Sequence, residues 1–227
     1  MKKIYTGKTK DVFDNGDGSY TLKFKDDATG KDGVFDPGEN QVGLSIEGLG
    51  RESLRLTKYI YELLEAQGVP TQLLDCDLDA ATMRVRPAAI FGCGIEFVCR
   101  CKATGSFLKR YGAYAQQGQD LGYLVEVTLK DDDRKDPPIT KDSLVVLGIM
   151  SAADFDICKA LTQQICKILA ENLACKGLDL YDMKVEFART TNGDIMLIDE
   201  ISAGSMRVYK DDQWVQPMDL TAMILGE

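Results

Sequence analysis

The sequence contains no histidine, and that absence excludes more chemistry than any other feature of its composition. Ser-His-Asp and Cys-His nucleophile pairs, His-ligated zinc and imidazole acid-base catalysis all require the missing ring. Long apolar runs are missing as well. No stretch approaches the roughly 18 apolar residues of a membrane helix, and the start, Met1-Lys2-Lys3-Ile4-Tyr5-Thr6-Gly7-Lys8, turns polar before a signal-peptide core develops. A protein that stays off the membrane is expected. The seven cysteines form no metal-binding pattern: only Cys99 and Cys101 are close, as C-x-C without a second pair. Buried free thiols outweigh zinc, and an odd number of cysteines in a chain of this size suits a reducing cytoplasm. Positive charge is scarce, with 27 Lys and Arg against 36 Asp and Glu and a formal net charge of -9. Nucleic-acid binders carry a basic face, so no nucleic-acid partner is expected; a small phosphate needs only a local basic pocket. Chemistry must rest on Lys, Arg, Asp, Glu, backbone amides and a hard metal ion.

What is present is core material, 44% hydrophobic residues over 227 positions, enough for one large domain or two small ones. Asp11–Asp14 and Tyr20–Lys25 flank Asn15-Gly16-Asp17-Gly18 and read as an antiparallel hairpin. Residues 28–50 are Gly-rich and irregular. Residues 52–66 carry Leu54, Tyr59, Ile60, Leu63 and Leu64 at helical spacing, ending at Gly68 and Pro70. Strand-like runs at 81–85 and 95–101 precede a short helix starting near Ser106 and a strand over 123–129. The longest helix is predicted over 153–175, with Gly177 as its C-cap. Two final strands, 180–189 and 194–201, flank Asn192-Gly193. The class is α+β, an N-terminal antiparallel β domain over 1–85 and a larger α+β domain over 86–227.

Three clusters carry chemistry. A two-residue type I′ turn at Asn192-Gly193 sets Glu186 directly opposite Asp199. Two half-buried carboxylates facing each other repel unless a cation lies between them, and Mg²⁺ suits two carboxylates plus phosphate oxygens. Asp182 and Lys184 share the strand face of Glu186; a solvated edge hairpin is the other reading. Gly7-Lys8-Thr9-Lys10 lacks the first glycine of a Walker A loop, since position 2 is Lys2. It remains either a phosphate-covering turn or a solvated basic one. Arg100 to Ser106 leaves a strand, passes through Gly105 and enters a helix with Ser106 as N-cap, the geometry of an anion site, although a plain cap explains the serine equally well. Val85-Arg86-Pro87-Ala88 is either an inter-domain segment whose backbone reads a base or an ordinary crossover.

With these residues in view, the chain resembles the phosphoribosylaminoimidazole-succinocarboxamide synthase (SAICAR synthetase) family along almost its whole length. Tyr5 to Lys10 is similar to the family's phosphate loop, and Gly68-Val69-Pro70-Thr71 to its Gly-Ile-Pro-Thr helix end. Arg100 to Ser106 is similar to Arg-Asn-x-Ala-Ala-Gly-Ser, and Lys130-Asp131-Asp132 with Asp136-Pro137 to its Lys-Asn-Asp and Asp-Pro loop. Lys184-Val185-Glu186-Phe187 and Asp199-Glu200-Ile201-Ser202 resemble the Lys-Leu-Glu-Phe and Asp-Glu-Phe-Ser strands. The resemblance implies an ATP-dependent ligase of purine biosynthesis with ATP in the cleft between the two domains. It implies ATP contacts in the Gly7-Lys8-Thr9-Lys10 turn and at Lys130, Glu186 and Asp199, the last two also holding Mg²⁺; Arg86 joins the expected ATP contacts through the base-reading alternative for its segment. It further implies that Arg100, Ser106 and Arg207 hold the ribonucleotide 5′-phosphate, and that Lys10, Lys184 and Asp32 stand at the reacting end. The implied partners are ATP, L-aspartate and the carboxyaminoimidazole ribonucleotide, with a homodimer as one expected assembly. Two alternatives stand beside this reading: another ATP-dependent phosphotransferase, or a non-catalytic nucleotide-binding regulator. The second is motivated by Ala203-Gly204, which replaces the family's Pro-Asp; Cys101 and Thr104 also depart from the pattern.

Overall fold

The computed structural model describes residues 1–39 and 41–226. Strands β1 (Lys2–Thr6), β2 (Lys10–Asp14) and β3 (Tyr20–Phe24) form an antiparallel meander. Its alternating residues bury Leu22 and Phe24 on the inner face. A small three-stranded sheet follows, β4 (Asp27–Lys31), β5 (Val34–Phe35) and β6 (Val42–Ser45). Sequence reading leaves this stretch irregular, because strands so short show too few alternations to establish a period. Helix α1 (Leu49–Ala66) buries Leu54, Leu56, Ile60, Tyr61 and Leu64, and β7 (Leu73–Asp77) and β8 (Thr82–Val85) complete a five-stranded sheet in the order β1-β2-β3-β8-β7.

The second sheet takes β9 (Ala89–Ile90), β10 (Ile95–Lys102), β11 (Asp120–Leu129), β12 (Asp179–Arg189), β13 (Ile195–Ile198), β14 (Met206–Lys210) and β15 (Gln213–Trp214). Its spine runs β11-β10-β12-β14-β15, with β9 and β13 both paired to β12. Helix α2 (Gly105–Tyr111) follows β10, and α3 (Lys141–Val146) and α4 (Ala152–Ala174) precede β12. Helix α5 (Pro217–Leu225) returns to pack on α1. The inner face of α4, with Ile165 and Leu169, lies under the second sheet and meets Phe97 and Phe187 in one apolar core that continues to Met83 and Leu54. At roughly 25 cal/mol per Å² of apolar surface, burial of this kind is the main force joining the sheets. A hydrogen-bonded seam joins them too: Gln72 N donates to Leu197 O at 3.0 Å and Leu197 N to Pro70 O at 2.9 Å. No helix among the described residues is long and apolar enough to cross a membrane.

Two local expectations are corrected. The β12–β13 hairpin pairs Arg189 with Ile195 and Glu186 with Ile198, one residue away from the expected register. Thr190 N donates to Asp194 O at 2.8 Å, so the turn holds three residues, with Gly193 in the left-handed region at φ 90. Asp199 is thus not the cross-strand partner of Glu186. The α2 cap also moves: Thr104 is the extended N-cap residue, and Ser106 lies inside the helix.

Candidate active site

A cleft of about 710 Å³ opens between the sheets. Val12, Tyr20, Leu22, Val85, Ile90 and Ile198 give it apolar walls, a slot for a flat ring that no pattern in the sequence announced. The Gly7–Lys10 turn hangs over this slot, closed by Gly7 N donating to Lys10 O at 2.8 Å. Lys10 opens β2 and points inward, with Nζ 2.9 Å from Asp199 Oδ1 and 2.5 Å from Glu200 Oε1. Burial opposes its charge, but Asp199 and then Glu200 outweigh burial and hold the ammonium protonated well above its ordinary range. Lys8 reaches Asp132 at 2.6 Å, and Lys130 reaches Glu186 at 2.6 Å.

Glu186 and Asp199 meet in spite of the shifted register because Asp199 lies just past the end of β13 and leaves the strand geometry at φ 68. That strained turn is held by two donors to the Asp199 carbonyl, Tyr61 Oη and Gln72 Nε2, both at 2.9 Å. The Asp199 charge then reaches Glu186. Burial first, and the Asp199 charge second, push Glu186 up to about 7. Burial would raise Asp199 as well, but Lys10 and then Lys130 hold it below the usual carboxylate range.

A smaller pocket of about 140 Å³ adjoins the cleft. Arg100, alternate to the buried Cys99 on β10, donates from Nη1 to Asp182 Oδ2 at 2.6 Å, from Nε to Glu126 Oε2 at 2.9 Å and from Nη2 to Ser106 Oγ at 2.9 Å. Arg207 on β14 reaches the same Asp182 oxygen at 3.0 Å and Asp36 Oδ1 at 2.9 Å. Gly105 makes this approach possible: it sits at φ 53, and a Cβ there would lie 2.8 Å from Arg207 Cζ. The buried Arg100 and half-buried Arg207 guanidiniums converging on one carboxylate form a preorganised fork for a dianion. Both pockets share Glu96, Asp136, Lys184 and Ser205 at their junction. There Lys184 donates to Glu96 at 2.7 Å.

The structure brings together Gly7, Lys8, Thr9, Lys10, Lys130, Lys184, Glu186 and Asp199 in or beside the cleft, and Arg100, Ser106 and Arg207 in the pocket. Arg86 lines the cleft wall, but its backbone N donates to Gln72 O and its guanidinium to Thr71 O and Leu73 O, each at 2.8 Å. It braces the crossover, and its N–H is not available to a base. Asp32 is not brought to the site. It is exposed at the tip of the β4–β5 turn with φ 52 and lines neither pocket. Asp36, four residues on, is the carboxylate that reaches Arg207, and nothing local distinguishes the two in sequence. No motif singles out Glu96 in the sequence, although its spacing from Arg100 on one strand places both on the same face.

Apolar walls beside ammonium groups in one pocket, opening onto paired arginines in the next, define an enzyme that brings a nucleotide against a second anionic ligand. The SAICAR synthetase family model matches residues 3–221. A phosphoribosylaminoimidazole-succinocarboxamide synthase from Clostridium tetani is 54% identical over 99% of this chain and 100% of its own length. The corresponding enzyme from Thermotoga maritima is 35% identical over 91% of this chain and 84% of its own. A solved SAICAR synthetase (Type-2) in complex with ADP superimposes with a TM-score of 0.87 at 28% identity, covering 99% of this chain and 98% of that one. The chain belongs to the SAICAR synthetase family.

Proposed function

We infer that this chain carries out the reaction of its family, the ATP-driven joining of L-aspartate to 5-amino-1-(5-phosphoribosyl)imidazole-4-carboxylate in purine biosynthesis, giving the succinocarboxamide, ADP and phosphate. The observation that carries this reading is the junction at Glu96, Asp136, Lys184 and Ser205, where two pockets of different chemistry meet. ATP lies with its base against the apolar walls and its phosphates under Gly7, Lys8, Thr9 and Lys10, with Lys130 alongside; that a solved relative is in complex with ADP supports a nucleotide as ligand. Arg100, Ser106 and Arg207 take the ribonucleotide 5′-phosphate, which directs the imidazole carboxylate toward Lys184.

The elevated Glu186 carboxyl beside a depressed Asp199 describes a pair of acids short of one cation, and two carboxylates with phosphate oxygens are a donor set that Mg²⁺ accepts. Glu186 and Asp199 would hold the ion, which offsets charge on the transferring phosphoryl group. Lys10 stays protonated and orients the phosphates, and Lys184 neutralises the nucleophilic carboxylate as it approaches. A carboxylate oxygen of the imidazole attacks the γ-phosphorus and ADP leaves. The aspartate amine then attacks the acyl carbon of the resulting acyl phosphate, and phosphate and a proton depart.

The test supplies purified protein with ATP, Mg²⁺, ribonucleotide and aspartate and follows ADP and the succinocarboxamide together. Equal amounts of both are expected. ADP without aspartate incorporation would indicate a phosphotransferase, and nucleotide binding without turnover a regulator.

A further inference from the structure

Aspartate brings two carboxylates and one ammonium to the reaction, and the ammonium must arrive where the two pockets meet. The cations lining them are almost all committed to internal acids. Lys8 is paired with Asp132, Lys10 with Asp199 and Glu200, Lys130 with Glu186, and Lys184 with Glu96. The three arginines of the smaller pocket are bound to Asp36, Glu126 and Asp182. Arg86 is held by two carbonyls. Lys135 differs: it lines the ribonucleotide pocket, and among the described residues its ammonium has neither a hydrogen-bond nor an ion-pair partner.

The next residue supplies the opposite charge. Asp136 lines both pockets. One of its oxygens accepts from Asp131 N at 2.8 Å, and the other has no partner among the described residues. The neighbouring Glu96 is more committed, since Lys184 donates to one oxygen at 2.7 Å and Thr128 to the other at 3.1 Å. Lys135 and Asp136 are also consecutive non-glycine residues in the left-handed region, at φ 60 and φ 46, a conformation unfavourable to L side chains. Asp136 N donates to Asp131 O at 3.0 Å and Lys135 N to Asp132 O at 3.2 Å, which fixes the turn before Pro137. Two complementary charges are thereby carried by consecutive residues of one hydrogen-bonded turn, an exposed Lys135 lining the smaller pocket and a half-buried Asp136 lining both.

We propose that Lys135 and Asp136 dock the aspartate substrate, the Lys135 ammonium on one of its carboxylates and the Asp136 carboxylate on its α-ammonium. This rests on the reaction inferred above. It makes the 135–136 turn the element that selects an acidic amino acid as the nucleophile. Steady-state kinetics of the full chain test it with Lys135→Ala, Lys135→Arg and Asp136→Asn, each varied against aspartate, ATP and ribonucleotide separately. Alanine is no more strained at φ 60 than lysine, and asparagine keeps the bond from Asp131 N. Lys135→Ala should raise the aspartate KM by about tenfold, as for loss of a charge-assisted hydrogen bond, and leave the other two KM values within about twofold. Lys135→Arg should restore most of the loss, and Asp136→Asn should raise the aspartate KM alone. An aspartate KM unchanged in Lys135→Ala overturns the proposal. A ribonucleotide KM that rises in step with it does so too, since Lys135 would then belong to the phosphate pocket. The wild type run alongside separates two failures. If it forms succinocarboxamide while the variants keep its aspartate KM, the dock alone is wrong; if it forms none, the reaction and the dock fall together.

Discussion

Glu186→Gln isolates the electrostatics of the cleft. The Glu186 carboxyl is 9% exposed and held up to about 7 from an ordinary 4.5, by burial first and Asp199 second, against the opposing charges of Lys130 and Lys184. At about 1.4 kcal/mol per tenfold change in acidity, its ionised form destabilises the folded state by about 3 kcal/mol. Between pH 4.5 and 7 the folded chain keeps a proton that the unfolded chain releases, so its stability falls as pH rises through that window and levels off above it. Glutamine cannot ionise and escapes this fall. At pH 8 the variant should therefore be the more stable protein by up to about 3 kcal/mol, or roughly 6 to 12 °C in Tm for a chain of this size. At pH 4.5 the two should coincide. Thermal or urea unfolding of both proteins across this range measures the difference, and saturating Mg²⁺-ATP should narrow it by replacing the proton with a cation. Parallel profiles, or a variant less stable at pH 8, would refute the reasoning.

Gly105→Ala should cost about 1 to 2 kcal/mol from the left-handed backbone. It should also raise the ribonucleotide KM without affecting ATP, because the new Cβ displaces Arg207; a melt and two KM measurements check this. Arg207→Lys keeps the charge and loses the fork, so ribonucleotide binding should weaken by about 1 to 3 kcal/mol. Titration of each ligand decides the matter, since equal losses for ATP and ribonucleotide would remove Arg207 from the phosphate site. Tyr61→Phe deletes a buried donor to the Asp199 carbonyl and should lower stability by about 1 kcal/mol while raising the ATP KM; unchanged values of both would show that the Asp199 turn stands without it.

The absence of histidine confines the chemistry to Lys, Arg, Asp, Glu and a hard metal ion, and strand alternation puts Asp182, Lys184 and Glu186 on one face without tertiary information; the phosphoryl roles of Lys10, Glu186 and Asp199 came from the family resemblance. The long helix, the first hairpin and the arginine motif were legible for the same reason: period, turn residues and glycine are local. The hairpin register was not. A three-residue turn and a two-residue turn at Asn192-Gly193 differ by one position, and only the packed sheet selects between them. Glu186 and Asp199 meet because Tyr61 and Gln72, far away in sequence, fix the chain at Asp199. Asp36 rather than Asp32 reaches Arg207 because the small sheet's turn carries Asp32 into solvent. Composition and local period together limit the side chains open to chemistry and assign strand residues to faces. Which acid answers which base was decided by the tertiary structure, since ion pairs between sheets depend on distances that no local period encodes.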